Sequence, residues 1–577
     1  MLIRLLREYL RPYHRLLLGV VGLQLVGTMA ALYLPSLNAD IIDKGVAKGD
    51  TGYILHTGAW MLVVSFAQIA CSVSAVRLGA RTAMGFGRDV RVAVFHNVST
   101  FSAREMAHFG APSLITRNTN DVQQVQMLVV MTCTMMIAAP IMCVGGIIMA
   151  LRQDVGLSWL LAVSVPLLGV LISMIVSRMV PQFRLMQERV DDVSRVMREQ
   201  ITGVRVVRAF VRERVEAERF AKSNRSLTET STRAGRLLAT MFPTVLLVLN
   251  VSLVAVLWFG ASRVGSGEMQ VGSLTAYLSY LMQILMSVMM ATFMLMMIPR
   301  AAVCAERIVE VLDQESSVIP PLRPVTSVDR HGEVELRDVT FQYPGAYAPV
   351  LRDISFRATA GTTTAIIGST GAGKTTLISL IARLVDVSDG AVLVDGADVR
   401  DLDADALCDR LGYVPQQSFL FSGTIASNLR YGRPDATEDE LWEALDVAQA
   451  RDFVSALPAG LDAPIAQGGT NLSGGQRQRI AIARALVRRA EIYLFDDALS
   501  ALDLGTDARL RAALRPVTRE AAVIIVAQRV STVRDADQIV VLDAGVITGI
   551  GTHDELVETS PTYAEIVESQ LSAEDAA

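Results

Sequence analysis

The sequence has few cysteines and little net charge, and each shortage excludes a class of protein. The five cysteines of this 577-residue chain stand at positions 71, 133, 143, 304 and 408. They are scattered and form no Cys-x-x-Cys pair, which argues against a disulfide framework and against a zinc site. The formal net charge is only −5, so the charge balance gives no reason to expect a nucleic-acid partner.

Charged residues are also scarce, at 19%, whereas apolar residues make up 51% of the chain. The mean hydropathy is +0.39, which predicts contact with a lipid bilayer. Apolar stretches of about 20 residues, long enough to cross a bilayer, occur six times. They lie at about residues 15–36, 56–78, 124–151, 156–180, 237–262 and 270–298. The first is too long for a signal peptide and lacks a clear small-residue cleavage site, so we expect a retained span.

The connections between the spans differ in length and charge. Spans 1–2, 3–4 and 5–6 are joined by short loops, whereas spans 2–3 and 4–5 are joined by long, helix-patterned segments rich in arginine. Basic residues accumulate on the cytoplasmic side of membrane proteins. We therefore expect a multi-pass protein of the cell (inner or plasma) membrane, with both termini and both long connections in the cytoplasm.

The composition changes after the sixth span. From residue 333, short β-branched runs alternate with helical patterns, which is typical of an α/β domain. The sequence predicts an α-helical membrane domain at 1–318, with six transmembrane helices and long intracellular extensions. A linker at 319–332 and an α/β domain at 333–577 follow, the last residues (SAEDAA) forming a frayed acidic tail.

The segment GSTGAGKT, at 368–375, directly follows the apolar run AII. This is the G-x-x-x-x-G-K-T pattern in the order strand, glycine loop, helix, and it predicts that 333–577 is an α/β nucleotide-binding domain of the P-loop type. The glycines allow backbone N–H groups to surround phosphate oxygens, and the helix directs its positive end toward the same anion. Lys374 would add a charge at the β- and γ-phosphates, and Thr375 would place a hydroxyl on Mg²⁺.

Other polar features follow the loop at defined distances. Gln416 lies about 40 residues later in GYVPQQ, and LSGGQ occupies 472–476. The apolar run Ile492–Phe495 then ends in Asp496 and Asp497, as a buried strand does when it presents a metal ligand at its tip. SALD at 500–503 and VAQRVST at 526–532 come next, and Tyr343, upstream of the loop, is an aromatic that could stack on a base.

In this order, the motifs resemble those of ATP-binding cassette (ABC) transporters. The resemblance covers essentially the whole chain and implies a half-transporter of the exporter-fold, multidrug type, an ATPase that acts as a two-chain complex. FGAPSLITRNTNDV (109–122) and GVRVVRAFVRE (203–213) resemble the two intracellular connections of that class. In the family these carry short helices that touch the nucleotide-binding domains.

The resemblance implies ATP and Mg²⁺ as cofactors and assigns roles to residues. Tyr343 would stack on adenine, Gln416 and Asp496 would join Thr375 at Mg²⁺, and Asp503 would lie at the interface of two domains. The phosphates would be held by Gly368, Ser369, Thr370, Gly371, Ala372, Gly373, Lys374, Thr375 and Thr376. The nucleotide on a partner chain would be contacted by Ser473, Gly474, Gly475 and Gln476.

Two residues depart from the family pattern at the catalytic positions. The family has a glutamate where this chain has Asp497, and a histidine where it has Gln528. A smaller departure is Gln467, where the family usually has a glutamate. The chain thus resembles the degenerate-site subunit of bacterial heterodimeric exporters. We expect slow hydrolysis at its own site, and an LSGGQ that completes the active site of a partner half-transporter with a consensus catalytic site.

The spans give only an indication of the substrate. Methionine, which suits adaptable apolar surfaces, is frequent in two of them. In the third span these are Met127, Met131, Met135, Met136, Met142 and Met149; in the sixth they are Met282, Met286, Met289, Met290, Met294, Met296 and Met297. A cavity for hydrophobic or amphipathic, drug-like or lipid-like compounds is one interpretation, and filler for helix packing or lipid contact is the other.

Two other functions stay open. One is import of a hydrophobic nutrient such as a fatty acid or siderophore, since nothing in the sequence fixes the direction of transport. The other is a regulatory membrane protein that is clamped by ATP.

Overall fold

The computed structural model describes residues 1–295, 297–328 and 331–574. Met296, two residues of the predicted linker (Asp329 and Arg330) and the last three residues of the predicted acidic tail lie outside the described residues. The chain divides into two units. The first comprises Met1–Ser99 and Ala111–Gln314, and the second comprises Thr100–Gly110 and Glu315–Ala577. The domain limits at residues 318 and 332 stay predictions.

The first unit is helical. Its helices are α1 (Leu2–Leu10), α2 (His14–Asp40), α3 (Thr51–Ser99), α5 (Ala111–Thr116), α6 (Val122–Met131), α7 (Ala138–Gln153), α8 (Ser158–Thr202), α9 (Val204–Ala209), α10 (Glu213–Gly265), α11 (Val271–Leu295) and α12 (Met297–Leu312). Three π-helical stretches, Ile41–Val46, Arg117–Asp121 and Thr132–Met136, continue helices rather than end them.

The six predicted spans are confirmed. Within the described residues, six helical segments are long and apolar enough to cross a membrane. Three of them run well past the apolar stretch: α3 has 49 residues, α8 has 45 and α10 has 53. An apolar core of about 30 Å needs only about 20 helical residues, so these helices extend far beyond a bilayer.

Polar side chains inside this unit bond to neighbouring helices. Tyr277 and Tyr280 of α11 are fully buried. The Tyr277 hydroxyl donates to the carbonyl of Leu157 and the Tyr280 hydroxyl to that of Leu32, both at 2.9 Å. Ser252 of α10 donates to Ser164 of α8 at 2.8 Å. Such bonds satisfy groups that would otherwise lack a partner in an apolar surrounding.

The second unit combines sheets and helices. Its strands are β1 (Val334–Phe341), β2 (Leu351–Ala358), β3 (Thr363–Gly368), β4 (Asp389–Val394), β5 (Ala397–Asp398), β6 (Leu411–Val414), β7 (Gly423–Thr424), β8 (Pro464–Ile465), β9 (Ile492–Asp496), β10 (Ala522–Val526), β11 (Gln538–Asp543) and β12 (Val546–Gly551). Its helices are α4 (Ala103–Phe109), α13 (Lys374–Ile381), α14 (Ala404–Arg410), α15 (Ile425–Arg430), α16 (Glu438–Val447), α17 (Arg451–Ser455), α18 (Gly474–Val487), α19 (Leu504–Val517), α20 (Val530–Val533), α21 (His553–Thr559) and α22 (Pro561–Glu574). The predicted α/β class is confirmed.

The main sheet has the strand order β12-β11-β3-β10-β9-β6, parallel except for the edge strand β12. A four-stranded antiparallel sheet, β2-β1-β4-β5, accompanies it. Every residue of β9 and β10 is buried, as expected for parallel strands covered on both faces. Asp496 pairs with Val526, and Val526 pairs with Ile366. The loops after β3, β9 and β10 therefore leave the sheet at one edge, where ligands bind in such sheets.

Candidate functional site

The loop between β3 and α13 has the backbone conformations typical of an anion-binding cradle. Gly371 and Gly373 have φ angles of +88° and +96°, a region that favours glycine. At Gly373 a Cβ atom would lie 2.6 Å from Leu351 Cδ2, so a side chain here would have to displace that leucine. The loop ends at the N-terminus of α13, whose first N–H groups and dipole favour a phosphate.

Lys374 begins α13 and points back over the loop. Its Nζ donates to the carbonyls of Gly368 and Ser369, both at 2.8 Å. Burial lowers the pKa of Lys374, and the nearby Asp497 and Asp496 partly offset this effect. The ammonium group is thus held in the cradle by neutral carbonyls.

Asp496 and Thr375 meet at the end of β9. The Thr375 hydroxyl donates to Asp496 Oδ1 at 2.9 Å. Burial raises the pKa of Asp496, although the bond from Thr375 opposes the rise. A hydroxyl and a carboxylate are ligands that suit Mg²⁺, which is commonly held by one or two carboxylates together with substrate phosphates. Within the described residues no group of three His, Cys, Asp or Glu side chains could hold a metal alone. The donor set fits an Mg²⁺ that arrives with a nucleotide.

Two glutamines converge on Asp497. Its Oδ2 accepts from Gln528 Nε2 at 2.9 Å and from Gln416 Nε2 at 3.3 Å. The backbone is in the left-handed region, with φ at 49°, which aspartate tolerates better than most residues. Burial raises the pKa of Asp497, against the opposing bonds. The second aspartate is therefore a buried carboxylate oriented by neutral amide donors.

Tyr343 lies beside the phosphate loop. Its hydroxyl is 3.1 Å from Thr376 Oγ1, and its ring packs edge-on against Phe341 at a centroid distance of 4.8 Å. The side chain stays 43% exposed, so a ring face can receive an aromatic base.

One predicted group stands apart. Ser473 caps α18, accepting from the N–H of Gln476 at 3.3 Å, while the Gln476 side chain accepts from the N–H of Ser473 at 2.9 Å. These two bonds form a capping box, and a Cβ atom built on Gly474 would meet no neighbouring atom within 4 Å. Across the part of the chain that the structure describes, no hydrogen bond joins residues 473–476 to the phosphate loop.

Sequence reasoning missed the partners of the segment after β10. Gln570 of α22 accepts from the N–H of Val530 at 2.7 Å and donates to the carbonyl of Gln528 at 2.8 Å. The spacing of Tyr563, Ile566 and Val567 would have indicated a helix face that continues to Gln570, but no motif marks this residue.

Comparison with known proteins gives two matches to protein families. The description of the ABC transporter transmembrane region matches residues 17–288, and that of the ABC transporter matches residues 351–500. An uncharacterized ABC transporter ATP-binding protein of Mycobacterium tuberculosis is 56% identical over 99% of both chains.

Two further relatives carry functional names. A multidrug efflux ATP-binding/permease protein of Mycobacterium bovis is 32% identical over 97% of this chain and 47% of its own length. A fatty acid ABC transporter ATP-binding/permease protein of the same species is 34% identical over 78% of this chain and 71% of its own length. The solved structure of a bacterial Atm1-family ABC exporter with ATP bound superposes with a TM-score of 0.79 at 25% identity, over 96% of this chain and 98% of that chain.

Proposed function

Because this chain belongs to the ABC transporters, we propose that it is one subunit of a heterodimeric transporter whose own phosphate loop binds ATP but supports only slow hydrolysis. The chain is an ATP-driven, exporter-type half-transporter with several membrane-spanning helices. The heterodimer, the weak site, the substrate and the Mg²⁺ ligands belong to the proposal.

Binding of ATP at this site is supported by an intact cradle. Tyr343 has an exposed ring for adenine, and the loop from Gly368 to Thr376 has the glycine conformations that a phosphate needs. Thr375, Asp496 and Gln416 would hold Mg²⁺, which neutralises charge on the β- and γ-phosphates when bound. These residues keep the types that nucleotide binding requires.

The bond of 2.9 Å from Gln528 Nε2 to Asp497 Oδ2 carries the proposal of slow hydrolysis. A base must take its position beside the attacking water, and an aspartate ends one methylene short of a glutamate. A displacement of about 1 Å can cost on the order of 100-fold in rate. Gln528 is neutral and cannot place a positive charge near the phosphoryl group. The shorter side chain of Asp497 and the neutral side chain of Gln528 thus both affect the carboxylate that would act as the base.

An intact LSGGQ supports the proposal of a partner chain. Ser473, Gly474, Gly475 and Gln476 are intact and capped but lie apart from this chain's own loop, so they would bind the γ-phosphate on the partner's loop. Asp503, which caps α19 through the N–H of Thr506 at 2.9 Å, would lie at the interface of the two domains. The partner would carry the consensus glutamate and histidine, and its site would perform most of the ATP hydrolysis.

The test is ATPase activity of the purified chain, alone and together with a half-transporter that carries the consensus glutamate and histidine. We expect little turnover from the chain alone and robust turnover from the pair. Turnover by a homodimer of this chain at the level of consensus half-transporters would contradict the proposal.

A hydrophobic or amphipathic substrate is supported by two cavities in the membrane unit. The larger, of about 700 Å³, is walled by α2, α3 and α7. It is lined by Val26, Met29, Ala30, Leu32, Tyr33, Ser36, Trp60, Val63, Val64, Ala67, Met149, Arg152 and Gln153. The second, of about 500 Å³, holds Met142 and Gln283 among its lining residues. The multidrug and fatty acid names of two relatives agree with such a substrate.

Transport of a fatty-acid-like carboxylate is a second candidate, favoured by Arg152. This cation comes from the last turn of α7 and joins the otherwise largely apolar lining of the larger cavity. An amphiphile would leave its chain among Met29, Trp60 and Val63 and pair its carboxylate with the guanidinium. This candidate function does not specify whether the acid is exported or imported, and the transport experiment determines the direction.

Arg152→Gln is expected to reduce uptake of a radiolabelled long-chain fatty acid into oriented vesicles several-fold, because a charge-assisted bond is lost. Movement of the matching fatty alcohol should not change. An equal reduction in the transport of the acid and of the alcohol would show that Arg152 does not recognise the carboxylate. Vesicles of either orientation separate export from import. Transport that stops when the partner's catalytic residue is replaced excludes a purely regulatory clamp.

The membrane orientation is also part of the proposal. The long, arginine-rich helical extensions predict that both termini and the ATP-binding unit lie in the cytoplasm. A protease cleavage site added at the C-terminus should be cut in inside-out vesicles and protected in right-side-out ones.

A further inference from the structure

The last helix of the chain has one face that docks on the core of the ATP-binding unit. Tyr563 is fully buried, and Ile566 and Val567 pack against the same cluster as Val533. Gln570 follows Tyr563 by seven residues, so it lies on the same face two turns later. A polar side chain at the end of a docked apolar face is directed toward the protein rather than toward water.

Gln570 meets the backbone at the start of α20. The N–H of Val530 is at the first position of that short helix, where no partner exists within the helix. The preceding residue, Arg529, makes no side-chain cap bond. Gln570 supplies the missing acceptor at 2.7 Å and also donates to the carbonyl of Gln528 at 2.8 Å. One amide from a distant helix therefore fixes both sides of Arg529.

The fixed segment is the one that carries Gln528 to the ATP site. Gln528 is held from behind at its carbonyl by Gln570, while its side chain reaches forward to Asp497 at 2.9 Å. The Cα–C bond and three side-chain bonds of Gln528 separate these contacts, so a shift of the segment would move the amide relative to the carboxylate. A continuous chain of hydrogen bonds thus leads from α22 to Asp497.

We propose that Gln570 is a positioning residue, which holds Gln528 where it can contact the terminal phosphate of ATP bound at this chain's own loop. This rests on the proposed function only in placing that phosphate beside Gln528. The slow hydrolysis of the site is not needed. The C-terminal helix would then set how firmly ATP, but not ADP, is retained.

The test compares substitutions in the assembled complex of this chain with its partner. Gln570→Met keeps the length of the side chain and its helix propensity but removes both hydrogen-bonding groups. Gln570→Glu keeps the acceptor for Val530 and loses the donor to Gln528. Glu565→Met is the control, because Glu565 is an exposed residue of the same helix. Dissociation is followed with fluorescent derivatives of a non-hydrolysable ATP analogue and of ADP. The signal that Lys374→Ala abolishes is assigned to this chain's site.

Gln570→Met is expected to release the ATP analogue about five- to tenfold faster, as for the loss of one or two hydrogen bonds. Release of ADP should stay unchanged, and Gln570→Glu should fall between Gln570→Met and the unaltered chain. Hydrogen exchange at the Val530 amide should quicken in Gln570→Met and not in Glu565→Met.

Two results would overturn the inference. One is faster hydrogen exchange at the Val530 amide in Gln570→Met with unchanged release of the ATP analogue. The contacts of Gln570 would then have no effect on how firmly ATP is retained. The other is equal acceleration for both nucleotides, which would reduce Gln570 to a general structural contact. A homodimer with robust ATPase would remove the weak-site proposal and leave this test intact, since the release assay needs no hydrolysis.

Discussion

Among single residues, Asp497 occupies the position where the ABC family has a glutamate. Its carboxylate is buried, lies on a backbone with positive φ and accepts from Gln528 and Gln416. Each amide can donate a proton in a hydrogen bond but cannot take one up or carry charge. Under the proposed function, this carboxylate is held in place and activates water poorly. Replacing Asp497 by the family's glutamate and Gln528 by its histidine should therefore raise the rate of hydrolysis.

Asp497→Glu combined with Gln528→His is expected to speed hydrolysis at this chain's site on the order of 100-fold, because the longer acid reaches the water and the histidine can carry charge. The measurement is steady-state ATPase of the complex that also carries Ser473→Arg, which disables the partner's site. Asp497→Glu alone should give a smaller gain, since Gln528 stays neutral. An ATPase rate that the double substitution leaves unchanged would mean that another feature limits the site.

The raised pKa of Asp496 predicts a pH dependence of metal-assisted binding. Burial disfavours the charged carboxylate, so the group takes up a proton at a higher pH than an ordinary aspartate does. Binding through Mg²⁺ needs the ionised form. Affinity for ATP should therefore fall as the pH falls through this raised pKa, by up to about tenfold per pH unit. Equilibrium binding of a fluorescent ATP analogue measures it. With Asp496→Asn, or with the metal removed by chelation, this acidic decline should disappear.

Among the elements, strand β3 and the loop after it make different demands on their glycines. Gly368 pairs with Leu542 of β11, and a Cβ atom there would lie 2.0 Å from the Leu542 carbonyl oxygen. At Gly371 a Cβ would meet nothing within 4 Å, and only the φ of +88° resists a side chain. One position is set by strand packing and the other by backbone conformation.

Gly368→Ala is therefore expected to destabilise the ATP-binding unit by about 3 kcal/mol or more, since the central strand must shift. Gly371→Ala should cost only about 1–2 kcal/mol, the strain of a left-handed alanine. Thermal unfolding of the two purified variants against the unaltered chain measures both. Equal losses would show that the strand pairing adjusts to a methyl group.

The helices and strands also show which structural features the sequence could predict. Hydropathy located the six spans, but α10 begins at Glu213 rather than near residue 237, because helix propensity and not apolarity sets its start. The glycine loop and the buried strand before Asp496 follow from local pattern. The approach of Gln416 and Gln528 to one carboxylate depends on strands β6, β9 and β10 being neighbours. The two hydrogen bonds of Gln570 depend on where α22 docks. These contacts join residues 31 to 81 positions apart, which no local pattern reports.

At the scale of the whole molecule, the proposed function assigns to one chain two half-sites, of which only LSGGQ would serve an active site. The phosphate loop, Asp496 and Tyr343 gather at one edge of the main sheet, whereas Ser473 caps α18 elsewhere in the same unit. If ATP binds between two such units, this chain's Asp497 serves one nucleotide and its LSGGQ serves the other. Substitutions in the two half-sites should then differ in their effect on the complex.

Ser473→Arg and Asp497→Ala test this division directly. Ser473→Arg places a bulky cation at the start of α18 and should abolish most of the steady-state ATPase and transport of the complex, because the partner's active site loses its γ-phosphate contact. Asp497→Ala should lower ATPase less than about twofold, since little hydrolysis occurs at that site. Lys374→Ala, by contrast, should remove nucleotide from this chain's site, as measured by photolabelling with an azido-ATP analogue. Asp497→Ala that silences the complex as fully as Ser473→Arg would show that both sites turn over, and the asymmetry would have to be abandoned.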